Sequence, residues 1–266
     1  MEKSFSEILE QTINYLRFQR DYGNICFYDE KIKLSKDLYD KEPEILHNEL
    51  KSEKGLEKVI SVKEDSNSVL FPQPWQKAES ISELNKMICN CKNCRLGNLR
   101  TNFVFGTGNP EAKVILVGEA PGADEDREGK PFVGRAGKLL TDILSAIKFS
   151  RDEVFICNIL KCRPPENRNP LPDEIKECEP YLIKQLELLK PSLILALGTF
   201  AAQTLLRSNL PLGKMRGKFY DYTINDRKIK LLVTYHPAAL LRNPNWKKPT
   251  WEDVQLFRKE YDLIYS

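Results

Sequence analysis

Along this chain, segments with the apolar spacing of strands alternate with segments that have the apolar spacing of helices. From Ile81 onward, short apolar runs predict buried strands, and apolar residues that recur every three or four positions predict helices between them. The predicted strands cover 113–118, 154–160, 192–197, 218–224 and 229–235, and the predicted helices cover about 135–148, 173–189, 199–207 and 251–264. This alternation is typical of an α/β protein with a mostly parallel sheet and helices on both faces.

The beginning of the chain has a pattern of its own. Residues 4–22 predict an amphipathic helix, because Ser4 and Glu7 have capping-box spacing and apolar side chains share one face. Something must cover that face, so we expect a protein partner for this helix.

A polar stretch follows, from about residue 29 to 76. It is rich in Lys and Glu without regular apolar spacing, which predicts a linker. We therefore expect an N-terminal extension over 1–75 and a globular domain over 76–266.

Composition narrows the class of protein. With 266 residues, 41% of them hydrophobic, the chain can bury a full core. No stretch approaches the roughly 20 apolar residues of a membrane helix, and no secretory signal pattern is present, so we expect a cytoplasmic protein. In such a chain, seven cysteines indicate metal ligands and buried thiols more than disulfides.

Charge is distributed unevenly. The formal net charge of +3 does not by itself imply a nucleic-acid partner, but residues 214–248 hold nine Lys or Arg against two Asp. Residues 119–128 hold five acids against one Arg, directly after the predicted strand VILVG. A phosphate-binding loop would offer glycines and a cation there, so this loop has a different purpose.

Polar residues stand where the predicted strands end. Glu119 follows the first strand, Asn158 lies at the end of the second, Gly198 follows the third and His236 follows the last. Ligands of parallel α/β sheets bind at the carboxyl ends of the strands, so we expect a site along this edge.

Four cysteines have spacing that indicates a metal site. Cys91 and Cys94 form a C-x-x-C pair, whereas Cys162 and Cys178 are separated by fifteen residues. A zinc ribbon usually has two C-x-x-C pairs, so the split second pair favours an iron–sulfur cluster over a zinc ion or four unrelated buried thiols. Two further cysteines compete as ligands: Cys89 and Cys157.

Four segments carry a family resemblance: GEAPGADED, KPFVGRAGKLL, ICNILKCRPPENR and YHPAALLRNP. In this order, over about Ile88 to Tyr265, they resemble the signature segments of family four uracil-DNA glycosylases. The resemblance implies a three-layer α/β/α fold, a [4Fe–4S] cluster and excision of uracil from DNA to leave an abasic site. By motif position, the cluster ligands are Cys91, Cys94, Cys162 and Cys178.

The implied reaction forms an oxocarbenium-like sugar while uracil leaves as an anion. By resemblance, Glu119 orients or deprotonates the attacking water. The acidic loop then suits the positive charge that grows on the sugar. The alternative is that Glu119 is a carboxylate that only caps the following turn. His236 is expected to donate a hydrogen bond to O2 of the leaving uracil. We interpret Asp124, Glu125 and Asp126 as a solvated or capping run.

Selection of uracil over cytosine needs a group that both donates and accepts, which a carboxamide does. Asn158 fits this role, with a polar strand end as the alternative. Phe132 resembles the aromatic residue on which the family stacks the flipped base, although its type alone is typical of a core position. Gly118 and Ala120 flank Glu119 and are expected to line the substrate site; the family has Gly or Ala at the position of Ala120.

The segment after His236 resembles a DNA-contacting loop. Leu240 and Leu241 are candidates for a wedge that fills the gap left by the flipped nucleotide, with a core position for one of them as the alternative. Basic residues are expected to contact phosphates, which makes binding salt-sensitive. They are Arg163, Arg216, Arg242, Lys214, Lys218, Lys247 and Lys248.

The leading hypothesis is a monomeric, monofunctional uracil-DNA glycosylase of base-excision repair with a structural cluster. A relative that captures abasic DNA covalently through a loop histidine ranks below it, because KCRPPENRNP contains no histidine. A non-catalytic iron–sulfur DNA-binding module and a zinc-containing nucleotide hydrolase are rival hypotheses from different functional classes.

Overall fold

The computed structural model describes residues 60–61 and 73–266, and within them seven strands form one sheet. They are Ile60–Ser61 (β1), Thr107–Gly108 (β2), Val114–Gly118 (β3), Phe155–Asn158 (β4), Leu193–Leu197 (β5), Phe219–Ile224 (β6) and Arg227–Thr234 (β7), in the order β1-β6-β7-β5-β3-β4-β2. The four central strands, β7, β5, β3 and β4, are parallel. β6 and β2 run antiparallel to their inner neighbours, and β1 is parallel to β6. The predicted mostly parallel sheet is confirmed.

Eight α-helices accompany these strands in the described part of the chain. They are Ile81–Ile88 (α1), Ala123–Glu128 (α2), Arg135–Ala146 (α3), Pro172–Leu189 (α4), Thr199–Leu206 (α5), Leu212–Met215 (α6), Pro237–Arg242 (α7) and Lys247–Tyr265 (α8). Among the residues with described positions, no helix has the length and apolar character needed to span a membrane.

Each face of the sheet is covered by helices. Successive residues of β3 point to opposite faces. Ile115 and Val117 pack in a core with side chains of α1, α4 and α5. Val114 and Leu116 pack in a second core with side chains of α3 and α8. This double burial explains the continuous apolar run of β3 and confirms the three-layer α/β/α class.

The observed elements follow the predicted ones closely, with two kinds of difference. The last helix begins at Lys247 rather than near 251, because Pro249 is tolerated in the first turn of a helix. Strand β2 and helices α2, α6 and α7 are not among the predicted elements; they have two to six residues, too short to show a period in the sequence. Helix α1, with eight residues, is not among the predicted elements either.

The N-terminal predictions fall mostly outside the described residues, including the helix over 4–22. Ile60 and Ser61 are the exception, since they pair with Tyr222 and Thr223 of β6. The division into an extension over 1–75 and a globular domain over 76–266 stays a prediction.

Candidate active site and cysteine site

The carboxyl ends of the parallel strands bring the predicted polar residues to one edge. β3 ends at Gly118, which is followed by Glu119, and the register of β3 and β4 pairs Gly118 with Asn158. β7 ends at Thr234, two residues before His236. The expected placement of these residues after parallel strands is confirmed.

Gly118, Asn158 and Phe132 meet at this edge. A Cβ atom at position 118 would clash with Oδ1 of Asn158 and would lie 2.7 Å from Cζ of Phe132, so only glycine fits. The Phe132 and His236 rings lie 5.3 Å apart between centroids, with 30° between their planes. The Asn158 amide, the Phe132 ring and the His236 imidazole therefore lie side by side. Ala120 is half-buried and packs against the core on the α4 side.

The backbone of Phe132 is held in an unusual conformation. Its φ of 53° is in the left-handed region, which is rare for a bulky residue. Gly137 makes this possible, because a Cβ there would clash with the carbonyl oxygen of Phe132. Glu125 accepts a hydrogen bond from the amide of Val133 at 3.0 Å. Strain of this kind persists where the surroundings enforce it, which is common in functional sites.

Asn158 presents an unsatisfied acceptor. Its side chain is 2% exposed, and Oδ1 is one of two buried side-chain atoms without a hydrogen-bond partner in the described part of the chain. Leaving such an atom unpaired costs about 1–3 kcal/mol. A ligand that donates a hydrogen bond to this oxygen would recover that free energy.

A buried lysine supports the backbone of Asn158. Nζ of Lys161 donates to the carbonyl oxygen of Asn158 at 2.8 Å and to Oε1 of Gln185 at 2.5 Å. Gln185 in turn donates to the carbonyl oxygen of Phe105 at 2.9 Å. Lys161 and Gln185 could not be singled out from the sequence, because lysine and glutamine side chains are usually solvent-exposed.

Glu119 is a carboxylic acid with a strongly shifted pKa. Burial raises the pKa of Glu119 to about 7, although the nearby positive charge of Arg242 acts in the opposite direction. Near neutral pH this side chain therefore exchanges its proton readily, as a general base must.

His236 is positioned as a neutral hydrogen-bond donor. Its Nδ1 accepts a hydrogen bond from the backbone amide of Ala238 at 3.1 Å, which caps α7. In a neutral ring the proton must then lie on Nε2. Burial, with a smaller effect from Arg242, lowers the pKa of His236 to about 4. The imidazole is neutral over the physiological pH range.

The acidic run after Glu119 has structural partners: Asp124 and Glu125 fit the predicted solvated or capping run, whereas Asp126 is buried and does not. Asp126 is buried and accepts hydrogen bonds from the amides of Thr101 and Asn102 at 2.9 and 3.3 Å. Asp124 forms an ion pair with Arg127 at 2.6 Å. Together with the hydrogen bond that the Val133 amide donates to Glu125, these contacts explain the run without a catalytic role.

The two predicted wedge residues differ in exposure. Leu241 is 45% exposed, whereas Leu240 is 1% exposed and belongs to the core. The prediction that Leu240 contacts DNA is therefore wrong, because successive residues of a helix point in different directions. Arg242 is exposed at the end of α7, and its charge acts on both Glu119 and His236.

Arg216, a predicted phosphate contact, is paired with a buried carboxylate. Its guanidinium donates to both carboxylate oxygens of Asp253, at 2.9 and 2.7 Å, and Asp253 also accepts from the Thr234 hydroxyl at 2.7 Å. The ion pair engages Nε and Nη2 of Arg216, and its phosphate contact stays a prediction. Arg163 donates from Nε to Asn167 at 2.8 Å, and its DNA contact stays a prediction.

The four predicted cysteine ligands line one small cavity with Tyr181 and Phe103. All four are free thiols: Cys91, Cys94, Cys162 and Cys178. The two competitors lie elsewhere. Cys157 is buried in β4, and Cys89 donates to the carbonyl oxygen of Lys86 at 3.5 Å.

Hydrogen-bond donors point at three of the cavity's sulfurs. Cys91 accepts from the Tyr181 hydroxyl at 3.2 Å, Cys162 from Arg100 at 3.2 Å, and Cys178 from the amide of Lys161 at 3.3 Å. Donors of this kind stabilise thiolates and surround iron–sulfur clusters.

Four thiols around one cavity are a donor set that fits an iron–sulfur cluster. Within residues 60–61 and 73–266, no group of three His, Cys, Asp or Glu side chains has the arrangement of a metal-ion site.

Comparison with known proteins agrees with this geometry. Residues 105–255 match the model of the family described as the uracil DNA glycosylase superfamily. The type-4 uracil-DNA glycosylase of Archaeoglobus fulgidus is 44% identical over 181 residues, which cover 66% of this chain and 91% of the relative. That of Saccharolobus solfataricus is 48% identical over 181 residues, covering 66% and 82%. That of Sulfurisphaera tokodaii is 43% identical over 198 residues, covering 70% and 90%. This chain belongs to the uracil-DNA glycosylase superfamily and, within it, to the type-4 family.

Proposed function

We propose that this chain is a monofunctional uracil-DNA glycosylase, which hydrolyses the N-glycosidic bond of uracil in DNA and leaves an abasic site for base-excision repair. One observation carries the proposal beyond the family relationship: the unpartnered Oδ1 of Asn158 lies beside Phe132, whose ring faces the neutral His236. The proposal includes a monomer acting on DNA in the cytoplasm.

Recognition of uracil follows from the Asn158 carboxamide. A base flipped out of the helix would stack on Phe132 and present its Watson–Crick edge to Asn158. Oδ1 accepts from N3–H of uracil, while the amide NH₂ donates to O4. Cytosine presents an acceptor at N3 and a donor at N4, so a carboxamide in this orientation would leave both groups mismatched.

Bond cleavage separates charge, and the site has a partner for each charge. The electron pair of the C1′–N1 bond leaves with uracil, and negative charge grows on O2. Nε2–H of His236 donates a hydrogen bond to that oxygen. The Glu119 carboxylate stabilises the positive sugar, accepts a proton from water, and directs the resulting hydroxyl oxygen to C1′.

The same face of the molecule would hold the DNA. The exposed side chain of Leu241 fills the gap left by the flipped nucleotide and offsets part of the cost of unstacking. Arg242, Lys247 and Lys248 are exposed close by in the sequence and supply phosphate contacts.

Cys91, Cys94, Cys162 and Cys178 would hold a [4Fe–4S] cluster with a structural role, since the proposed hydrolysis transfers no electrons. A bound cluster would join three segments of the chain. Lys161 connects this region to the base-reading edge, because its amide donates to Cys178 and its ammonium group donates to the carbonyl oxygen of Asn158.

We expect Cys162→Ala to lose iron and the visible absorption of the cluster, and to lower the Tm by about 8–16 °C, as loss of a structural metal is among the most destabilising changes. Iron analysis and thermal unfolding measure both effects. Cys89→Ala is the matched control, because Cys89 does not line the cavity. Equal iron content and Tm in wild type and Cys162→Ala would contradict the assignment.

Release of free uracil from an oligonucleotide with one deoxyuridine tests the proposed function. Iron-loaded protein should release the base and leave an alkali-labile abasic site. Full retention of uracil despite tight DNA binding would favour the non-catalytic binding module. An SDS-stable protein–DNA adduct would favour the relative that captures abasic DNA.

A further inference from the structure

An aromatic stack lies next to the proposed site and has no role in the mechanism above. Tyr235 directly precedes His236, and its ring stacks on that of Trp246 with 4.8 Å between centroids and 11° between planes. Trp246 ends the short turn Pro244–Trp246, which packs against both α7 and α8. The stack is therefore attached to the segment that carries His236 and Leu241.

The Tyr235 end of the stack is held by further contacts. The guanidinium of Arg216 lies over the Tyr235 ring, 5.8 Å from its centroid, and is itself held by both oxygens of Asp253. The backbone of Trp246 is also fixed, because its carbonyl oxygen accepts from the Thr250 hydroxyl at 2.8 Å. A ligand that stacks on Trp246 would thus lose little free energy in ordering the protein.

The outer side of the stack is open to solvent. Trp246 is 37% exposed although Tyr235 covers one face of its indole, so the accessible area belongs to the opposite face and the edges. Residues 242–248 contain three cations and no acid, and Arg242, Lys247 and Lys248 are all exposed. A flat aromatic face among cations is the arrangement by which proteins bind single-stranded nucleic acid.

We propose that the outward face of Trp246 is a stacking site for an unpaired base close to the uracil nucleotide. The identity of the substrate rests on the proposed function, whereas the stacking itself follows from the geometry of Tyr235 and Trp246. Bases in an intact duplex are already stacked on their neighbours, so only an unpaired base gains from the indole. The preferred substrate class is therefore single-stranded or locally unpaired DNA.

Binding of a single-stranded oligonucleotide tests this site. The oligonucleotide carries one 2′-fluoro-deoxyuridine, which resists excision, and affinity is measured by fluorescence anisotropy at constant salt. Trp246→Ala should weaken binding roughly 5- to 150-fold, the range for loss of one base–aromatic stack. Trp246→Phe keeps an aromatic face and should stay within about threefold of wild type.

Two further variants separate stacking from folding. Trp246→Leu keeps apolar cover over Tyr235 but has no aromatic face, so it should bind as weakly as Trp246→Ala while its Tm stays close to that of wild type. Trp251→Ala is the matched control, because Trp251 is 43% exposed on α8 but lines a different cleft with Lys148 and Arg258. Its affinity should equal that of wild type.

Removal of single bases from the DNA provides the decisive comparison. Each nucleotide near the uracil is replaced in turn by an abasic analogue. When the base that stacks on Trp246 is the one removed, wild type and Trp246→Leu should bind with equal affinity. The proposal is overturned if wild type and Trp246→Leu still differ in affinity whichever base is removed, or if Trp246→Leu binds the single strand as tightly as wild type. It is also overturned if Trp246→Leu loses as much affinity for a fully paired duplex as for the single strand. A wild-type protein that releases no uracil would refute the proposed function. The binding measurements with abasic analogues would still show whether Trp246 stacks on a base.

Discussion

Glu119→Gln should lower the rate of uracil release by about 10²- to 10⁴-fold at pH 8, the range for loss of a general base. The amide has nearly the shape of the carboxylate, but it neither accepts a proton from water nor stabilises the sugar cation by charge. Single-turnover release of uracil from excess enzyme measures this step without product dissociation. Glu128→Gln is the matched control, because Glu128 is an exposed acid of the same run; its rate should be unchanged.

The pH dependence identifies Glu119 more specifically. Because burial raises the pKa of Glu119 to about 7, the wild-type rate should rise with pH up to about 7 and level off above it. The acid form dominates below this value and lacks the charge that the reaction needs. In Glu119→Gln the dependence should vanish between pH 5 and 9. A wild-type rate that stays constant down to pH 5, or a variant within threefold of wild type, would exclude Glu119 as the base.

His236→Asn should lower the rate of uracil release by about 10²- to 10³-fold, the usual effect of removing one donor to a developing oxyanion. Asparagine is a good N-cap residue, so its side chain can replace Nδ1 of His236 as the acceptor for the amide of Ala238. It is too short to place a donor where Nε2 of His236 stands. The variant thus separates the capping role from the chemical one.

Thermal unfolding completes the test of His236. We expect His236→Asn to keep the wild-type Tm and His236→Ala to lose about 1 kcal/mol of stability with the cap. Because burial lowers the pKa of His236 to about 4, its titration should not appear in the rate between pH 5 and 9. If His236→Asn excised uracil at the wild-type rate, His236 would serve only as a helix cap.

Several features of the site could be predicted from the sequence, because they depend on the pattern of residues that are neighbours along the chain. β3 and its neighbours are parallel central strands buried on both faces, so their apolar runs stand out, and the residues after them necessarily reach the same edge. The positions of Glu119, Asn158 and His236 at that edge follow from this pattern. The cysteine spacing similarly indicated four ligands, and all four line one cavity.

Some features depend instead on which side chains face one another across the fold. Only the packing of α7 decides that Leu241 is exposed while Leu240 is buried. Arg216 looks like a surface cation in the sequence, yet Asp253, 37 residues later, occupies its guanidinium.

By itself, then, the sequence determined the layered α/β class, the edge of the sheet that holds the site, and the chemical types of the residues there. Only the tertiary structure decided the tautomer and pKa of His236, the raised pKa of Glu119, the support of Asn158 by Lys161, and the stack of Tyr235 on Trp246. The reason is physical: strand and helix periods arise from neighbours along the chain, whereas burial, proton affinity and stacking depend on groups that are distant in sequence and meet only after folding.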